Sequence, residues 1–245
     1  MAGQGVGTMQ LVVRASGPPG GAAEVRKPVG RPPATDSADT RRRILVAARA
    51  CFARYGYDKT TNKDIASAAG ITAGAIYHYF PSKQSLFVTL WREVQESVYQ
   101  AFDRVLDGKE RLSDRIKAVM DVAAEMHASD RSLAAFTAIS PIEIQRHEEL
   151  RKDLGDDALA VYHYFEHLVA ESSDDLAPGV DAESVVNLLV AVTTGFAQFG
   201  ATSRATRSHS AAIDSFKLLV DGSLFAADDR RPKETAPAPR RRRSG

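Results

Sequence analysis

The chain has little that would hold a protein together by covalent or metal cross-links. Cysteine occurs once in 245 residues, at Cys51, so an intramolecular disulfide is excluded. A buried structural thiol in a reducing compartment is the expectation. A secretory start is also missing: MAGQGVGTMQLVVRASGPPGG has no basic opening followed by a long apolar run, and the expected location is the cytoplasm. The one uncharged run of membrane-spanning length, Ser184 to Ser203, is interrupted by Asn187, Thr193, Thr194, Gln198 and two glycines. Its large side chains recur at helical spacing, which predicts a helix buried against protein and no membrane partner. Alternating strand patterns are absent, so an all-α fold is expected. His163 and His167 stand at the i, i+4 spacing of a metal pair, but no third ligand lies near them in sequence. No nucleophile, base and orienting group come together around His127, His163 or His167. Neither an enzyme nor a metal or other cofactor is expected.

Charge of one sign is lacking locally rather than overall. The net charge is +1, yet residues 24 to 92 hold 12 Lys and Arg against 5 Asp and Glu, residues 93 to 227 hold 12 against 23, and residues 228 to 245 hold 7 against 3. A basic segment before an acidic body points to a polyanion partner for the first part only. Residues 1 to 36, rich in Gly, Pro and Ala, and the tail 228 to 245 are expected to be disordered. Their basic stretches, Gly30-Arg31-Pro32 and Arg240 to Arg243, offer phosphate or minor-groove contacts or are simply solvated. Residues 37 to 84 and 85 to 227 form the two folded parts.

The first helix is predicted from about Thr40 to Tyr55, with Ile44, Ala48, Cys51, Phe52 and Tyr55 on one inward face and Gly56 just past its end. Its first turn would hold Arg41, Arg42 and Arg43, where cations oppose the helix dipole and an external phosphate reverses the penalty. Thr61 and Asp64 form the pattern of a capping box opening a second short helix, and Gly70 closes it. Thr72 caps a third helix that runs to Pro81. Two short helices joined through a glycine make a helix-turn-helix candidate. At 100° per residue from Ala73, Tyr77, Gly74 and His78 fall at about 40°, 100° and 140°, and Ala75, Tyr79 and Ile76 fall between about 200° and 300°. The first arc, with Ala73 at its origin, is small or polar and suits a DNA groove. The second is apolar and suits a core.

The tetrapeptide Tyr-His-Tyr-Phe at 77 to 80 returns at 162 to 165. There it sits within a predicted helix from 150 to 172 whose inner side is set by Val161 and Phe165, with no cap or glycine turn nearby. An internal repeat is therefore not expected. Further helices are predicted at about 82 to 107 with Ser82 as cap, 112 to 128, 131 to 139, 182 to 201 and 208 to 226, with a break at Pro141. Met120, Met126, Phe136, Tyr162, Phe165 and Phe196 are candidates for lining an apolar or amphipathic ligand site. Val185, Leu188, Val192, Gly195, Phe196, Phe199, Ile213, Phe216, Leu219 and Val220 are candidates for a dimer seam.

The stretch from Ile44 to Phe87 resembles the DNA-binding domain of the TetR family of bacterial transcriptional regulators. The alanine-rich first helix, Gly56-Tyr57 before Thr60-Thr61, Asp64-Ile65-Ala66, Ala69-Gly70-Ile71-Thr72, Tyr77 to Phe80 and Ser82-Lys83 opening the fourth helix all coincide. The resemblance implies a three-helix head, a linking fourth helix, and a helical C-terminal domain that dimerises and binds a small molecule. By position it implies DNA contacts from Thr61, Thr72, Ala73, Gly74, Tyr77, His78 and Lys83, with Arg41, Arg42, Arg43 and Lys63 as further phosphate contacts. The expected function is a homodimeric repressor on a pseudo-palindromic operator, released by a small apolar or amphipathic ligand. The alternative is a protein that coats DNA regardless of sequence.

Overall fold

A computed structural model describes residues 34–202 and 206–224; most of the N-terminal extension and the basic tail lie outside them. Among the described residues ten α-helices follow one another: α1 (Ala34–Lys59), α2 (Asn62–Ala69), α3 (Ala73–Ile76), α4 (Lys83–Leu106), α5 (Leu112–Ser129), α6 (Arg131–Arg146), α7 (Glu148–Leu154), α8 (Ala160–Ala170), α9 (Ala182–Thr202) and α10 (Thr206–Val220). No strand occurs among the described residues.

Several expected boundaries differ. α1 runs on past Tyr55 to Lys59 across a kink at Gly56 (φ 77°, ψ 174°), and Tyr55, expected on its inner face, is 46% exposed. α1 begins at Ala34, which places Arg41 to Arg43 two turns inside the helix, beyond the reach of the dipole at its start. Their expected opposition to that dipole therefore lapses. α6 continues through Pro141, because the missing proline donor costs one intrahelical bond while packing on both faces holds the rest. The predicted helix from 150 to 172 is two helices. Gly155, at φ 53°, turns the chain into a 3-10 segment, Gly155–Leu159, before α8 starts.

The helix caps anticipated in the sequence are present. Thr61 accepts from the Asp64 backbone N–H, and the Asp64 carboxylate accepts from the Thr61 N–H and hydroxyl. The Thr61 hydroxyl bond, followed by the backbone bond, holds the Asp64 carboxyl below its ordinary pKa. Ser82 and Ser85 form a reciprocal box at the start of α4, and at α3 the Thr72 hydroxyl accepts from the Ala75 N–H without a return bond. Gly70 takes the left-handed φ of 67° that ends α2, a conformation an L side chain rarely adopts.

Two apolar cores result. The first joins the inner faces of α1, α2 and α3 to the start of α4, and it also takes in Leu133, Phe136, Ile144, Leu150 and Leu154 from α6 and α7. Its centre is aromatic: Phe87 lies 5.2 Å from Phe52, 5.3 Å from Tyr57 and 5.6 Å from Phe136 between ring centroids. Phe136, expected at a ligand site, is fully buried here against the head and is not among the residues lining the cavity of the body. The second core packs α5, α8, α9 and α10 around the far half of α4. Ile213, expected in a dimer seam, is 1% exposed and turned into this core of its own chain.

Polar contacts reinforce the joint between head and body. Arg41 pairs with Glu93 at 2.6 Å, and Arg49 reaches Asp130, the cap of α6. Burial acts to raise the Asp130 pKa, but hydrogen bonds from Leu133 and Ser132 and the charge of Arg49 outweigh it and leave the carboxyl below its ordinary value. At the other end of α6, a Cβ at Gly56 would lie 2.8 Å from the Glu143 carboxylate, and φ there is +77°. The His147 ring lies tilted against Tyr57, centroids 4.8 Å apart, and faces Asp58, Glu143 and Glu149 at 3.4 to 3.5 Å. In the body, His127 and His209 are 5.2 Å apart, and the buried Nδ1 of His127 has no partner among the described residues. Burial first, and the neighbouring His209 second, push His127 down to about pKa 4.

Replacing Phe136 by alanine should cost about 3 to 5 kcal/mol of stability, because it opens a cavity in the joint itself; urea unfolding measures it. His127 should make stability fall on acidification. The unfolded side chain takes up a proton near pH 6.5 while the folded one resists to about 4, so its contribution is present above pH 6.5 and is lost as pH falls toward 4. The drop in urea midpoint between pH 7 and pH 5 should shrink in His127→Phe.

Candidate nucleic-acid interface and internal cavity

α3 is one turn of four residues, too short to persist alone. Its position comes from the frame around it. Thr72 caps its start, and the backbone N–H groups of Tyr79 and Phe80 both donate to the Ile76 carbonyl at 2.9 Å, tightening its end before Pro81. The third helix is therefore shorter than its expected run to Pro81. Its facing follows the helical wheel even so. Ile76 and Phe80 are 0% and 3% exposed, whereas Tyr77 is 58% exposed and His78, Ala73 and Gly74 lie open beside it. Nothing stands within 4 Å of where a Gly74 side chain would begin, so an incoming surface could approach that backbone closely. Thr61, Lys63 and Thr72 are exposed on the same head, with the free N–H groups of the α2 start behind Thr61.

The cations divide into two sets. Lys63 is exposed, and Arg42 is held loosely by Asp39 at 2.7 Å one turn away. Lys83 instead donates to the Tyr57 carbonyl at 2.8 Å and lies 4.3 Å from the centre of the Tyr57 ring. Arg43 donates to the carbonyls of Ala69 and Gly70 at the end of α2, and Arg41 is committed to Glu93. Guanidinium and ammonium groups at helix ends satisfy carbonyls that have no intrahelical donor. For Arg41 and Arg43 the structure thus gives an internal partner where a phosphate contact was expected.

The body contains a cavity of about 500 Å³ between α4, α5, α6, α8 and α9. Of the residues expected to form a ligand site, Met120, Met126, Tyr162, Phe165 and Phe196 line it and Phe136 does not. Trp91, Gln95, Tyr99, Phe102, Thr137 and Arg151 also line it and were not anticipated. Gln95, Thr137, Thr193 and Thr194 are polar residues on otherwise inward helix faces, a signal the sequence does carry. Gln95 donates to the Tyr99 hydroxyl at 3.0 Å, and burial raises the Tyr99 pKa well above its ordinary value. In the second Tyr-His-Tyr-Phe, Phe165 is 1% exposed, Tyr164 stacks on Tyr99 at 4.7 Å, and His163 faces solvent. His167 pairs with Glu171 at 3.1 Å, and no group of three or more His, Cys, Asp or Glu able to hold a metal occurs among the described residues.

The last two helices carry unpartnered apolar surface. Leu188, Phe199 and Leu219 are 57%, 44% and 49% exposed, and Gly195 is open beside them. Val185, Phe196, Phe216 and Val220 are half-buried against the second core, and Val192 is half-buried as well. The helix Ala182–Thr202 has a mean hydropathy of 1.4 over its most apolar 18 residues, yet only 22% of that window is buried.

Residues 44–90 match the model of the bacterial regulatory proteins of the tetR family. The repressor Rv1474c of Mycobacterium tuberculosis is 52% identical over 56 residues, which is 23% of this chain and 30% of that protein's length. The repressor BepR of Brucella suis is 31% identical over 175 residues, covering 66% of this chain and 80% of that protein. The fold matches GusR of Salmonella enterica (TM-score 0.59, 25% identity, 78% of this chain and 98% of that one). It also matches the fatty acid degradation regulator FadR of Bacillus halodurans (TM-score 0.63, 17% identity, 74% and 94%). With a long alignment to BepR, a matching family model over the head and the same helical architecture, the chain belongs to the TetR family of transcriptional regulators.

Proposed function

We propose that the protein is a cytoplasmic repressor that binds a pseudo-palindromic operator as a homodimer and leaves it when a small apolar or amphipathic molecule enters the cavity. The observation that carries this reading is the exposed arc of α3. Tyr77 and His78 stand beside side-chain-poor Ala73 and Gly74, on a turn whose opposite face is locked into the core. Thr61, Lys63, Thr72 and Arg42 would hold phosphates around it, and Lys83 would do so from the junction it already braces. The exposed apolar stripe of α9 and α10 supports pairing with a second copy through Leu188, Gly195, Phe199 and Leu219, which would set two heads side by side for successive major grooves. To empty an operator occupied 99:1, the ligand must favour the released state by roughly 5.5 kcal/mol, shared between two cavities.

A sequence-independent coat on DNA would rest on the basic tails and not on α3. In gel shifts with the DNA upstream of its own gene, Tyr77→Ala should weaken specific binding at least about tenfold, and Lys83→Ala should weaken it less steeply and lower its salt dependence. Specific binding that survives Tyr77→Ala, and disappears when residues 228 to 245 are removed, would favour the coat. For the dimer, Leu188→Glu with Leu219→Glu should shift the mass measured by light scattering to that of one chain, since two buried carboxylates per copy leave the seam unpaired.

A further inference from the structure

The cavity has a composition that discriminates between ligands by charge. Its walls are apolar, with Val98, Phe102, Met120 and Phe165 among them, and the lining includes no Asp or Glu. A cationic ligand would therefore lose its hydration with no anion to replace it. His127 adds no charge near neutral pH, since burial keeps it uncharged. The lining residues that remain exposed are Gln145, Arg151, Gly155, Leu159 and Tyr162, and they place the mouth where the end of α6 meets the break between α7 and α8. At this mouth the one permanently charged lining side chain is Arg151.

Arg151 is not consumed by a structural ion pair. Its Nη1 donates to the Gln145 backbone carbonyl at 2.6 Å, and it forms no ion pair among the described residues. Four acids close to it in sequence have other partners: Glu148 pairs with Lys152 at 2.8 Å, Glu149 with His147 at 3.5 Å, Asp157 with Arg92 at 2.6 Å, and Asp153 with Gln84 at 2.7 Å. A guanidinium tethered on one side by a carbonyl is oriented, and its remaining N–H groups can take a carboxylate. Inward from it, α6 lines the cavity from Leu133 to Gln145, roughly 18 Å at 1.5 Å per residue.

Building on the reading of this cavity as the effector site, we infer that its ligand is an amphipathic carboxylate, with the apolar body inside and the carboxylate on Arg151 at the mouth. The extended backbone at His147 sets α7 and Arg151 against the end of α6, Gly155 then turns the chain on toward α8, and Gln145 sets the guanidinium's orientation. Arg151 is a binding residue for the anionic head, and the walls select for a body without positive charge.

Trp91 lines the cavity and is the chain's one tryptophan, so its emission reports occupancy without DNA. The full-length protein is titrated with dodecanoate, dodecan-1-ol and dodecyltrimethylammonium below their micelle concentrations; a twelve-carbon chain, roughly 13 Å long, fits along α6. Dodecanoate should bind most tightly and the cation at least about tenfold more weakly. Arg151→Gln should weaken dodecanoate about tenfold while leaving dodecan-1-ol within about twofold, and Arg151→Lys should restore part of the loss. The dodecan-1-ol titration also shows that the variant cavity is intact. Equal binding of cation and carboxylate, an unchanged dodecanoate affinity in Arg151→Gln, or no response to any of the three overturns the inference. A protein that binds dodecanoate in this way yet never leaves its operator keeps the inference and loses the effector reading.

Discussion

The packing of Phe136 against Phe87 is the contact on which the rest of the molecule depends. Phe87 belongs to the helix that leaves the head, and Phe136 belongs to the helix that roofs the cavity. Around them Phe52, Tyr57 and Ile76 close one continuous core. A core packed at crystal-like density does not deform gradually, so a shift of α6 must either be absorbed at its surface or be passed to α1 and α4. The ion pairs Arg41 to Glu93 and Arg49 to Asp130, and the contact of Tyr57 with His147, lie at the rim of that core. They are shared between the same elements and fix the angle at which the head is carried.

The exposed arc of α3 is a product of this core. Four residues of helix have no stability of their own, and Tyr77 and His78 are presented outward because Ile76 and Phe80 are drawn inward. Lys83 illustrates the same economy. Expected to meet a phosphate, it here satisfies the Tyr57 carbonyl near the end of α1. A DNA contact through Lys83 would therefore be coupled to the joint next to the cavity-lining end of α6.

Charge divides the protein along the same line. The head gathers cations on its surface, the body is acidic outside, and the cavity interior has neither acid nor solvent-exposed base beyond the mouth. The net acidity of the body disfavours a polyanion, and among the described residues the basic head is the part whose charge suits one. With no carboxylate in its lining, the cavity presents apolar walls and, at its entrance, the single guanidinium of Arg151.

Much of the head is written in local sequence. Thr61 with Asp64, Gly70, Thr72, Ser82 and the spacing of Ile65, Ala69 and Ile76 act within a few residues of one another, so caps, turn and exposed arc were legible without tertiary information. The all-helical class was legible from periodicity for the same reason. Long-range packing decided the remainder. An apolar side chain at helical spacing looks the same in sequence whether it faces a core, a cavity or a second chain. Phe136 went to the joint, Phe165 to the cavity and Ile213 to the interior, and Leu188 was left in solvent. Arg41 and Arg43 likewise turned to partners on other helices, Glu93 on α4 and the end of α2, that only the folded chain brings near. Tyr-His-Tyr-Phe makes the division plain. Its chemistry is identical at 77 and at 162, but a turn framed by Thr72 and Pro81 exposes the first tyrosine and histidine, while an eleven-residue helix packed on α4 and α9 turns the second phenylalanine to the cavity wall.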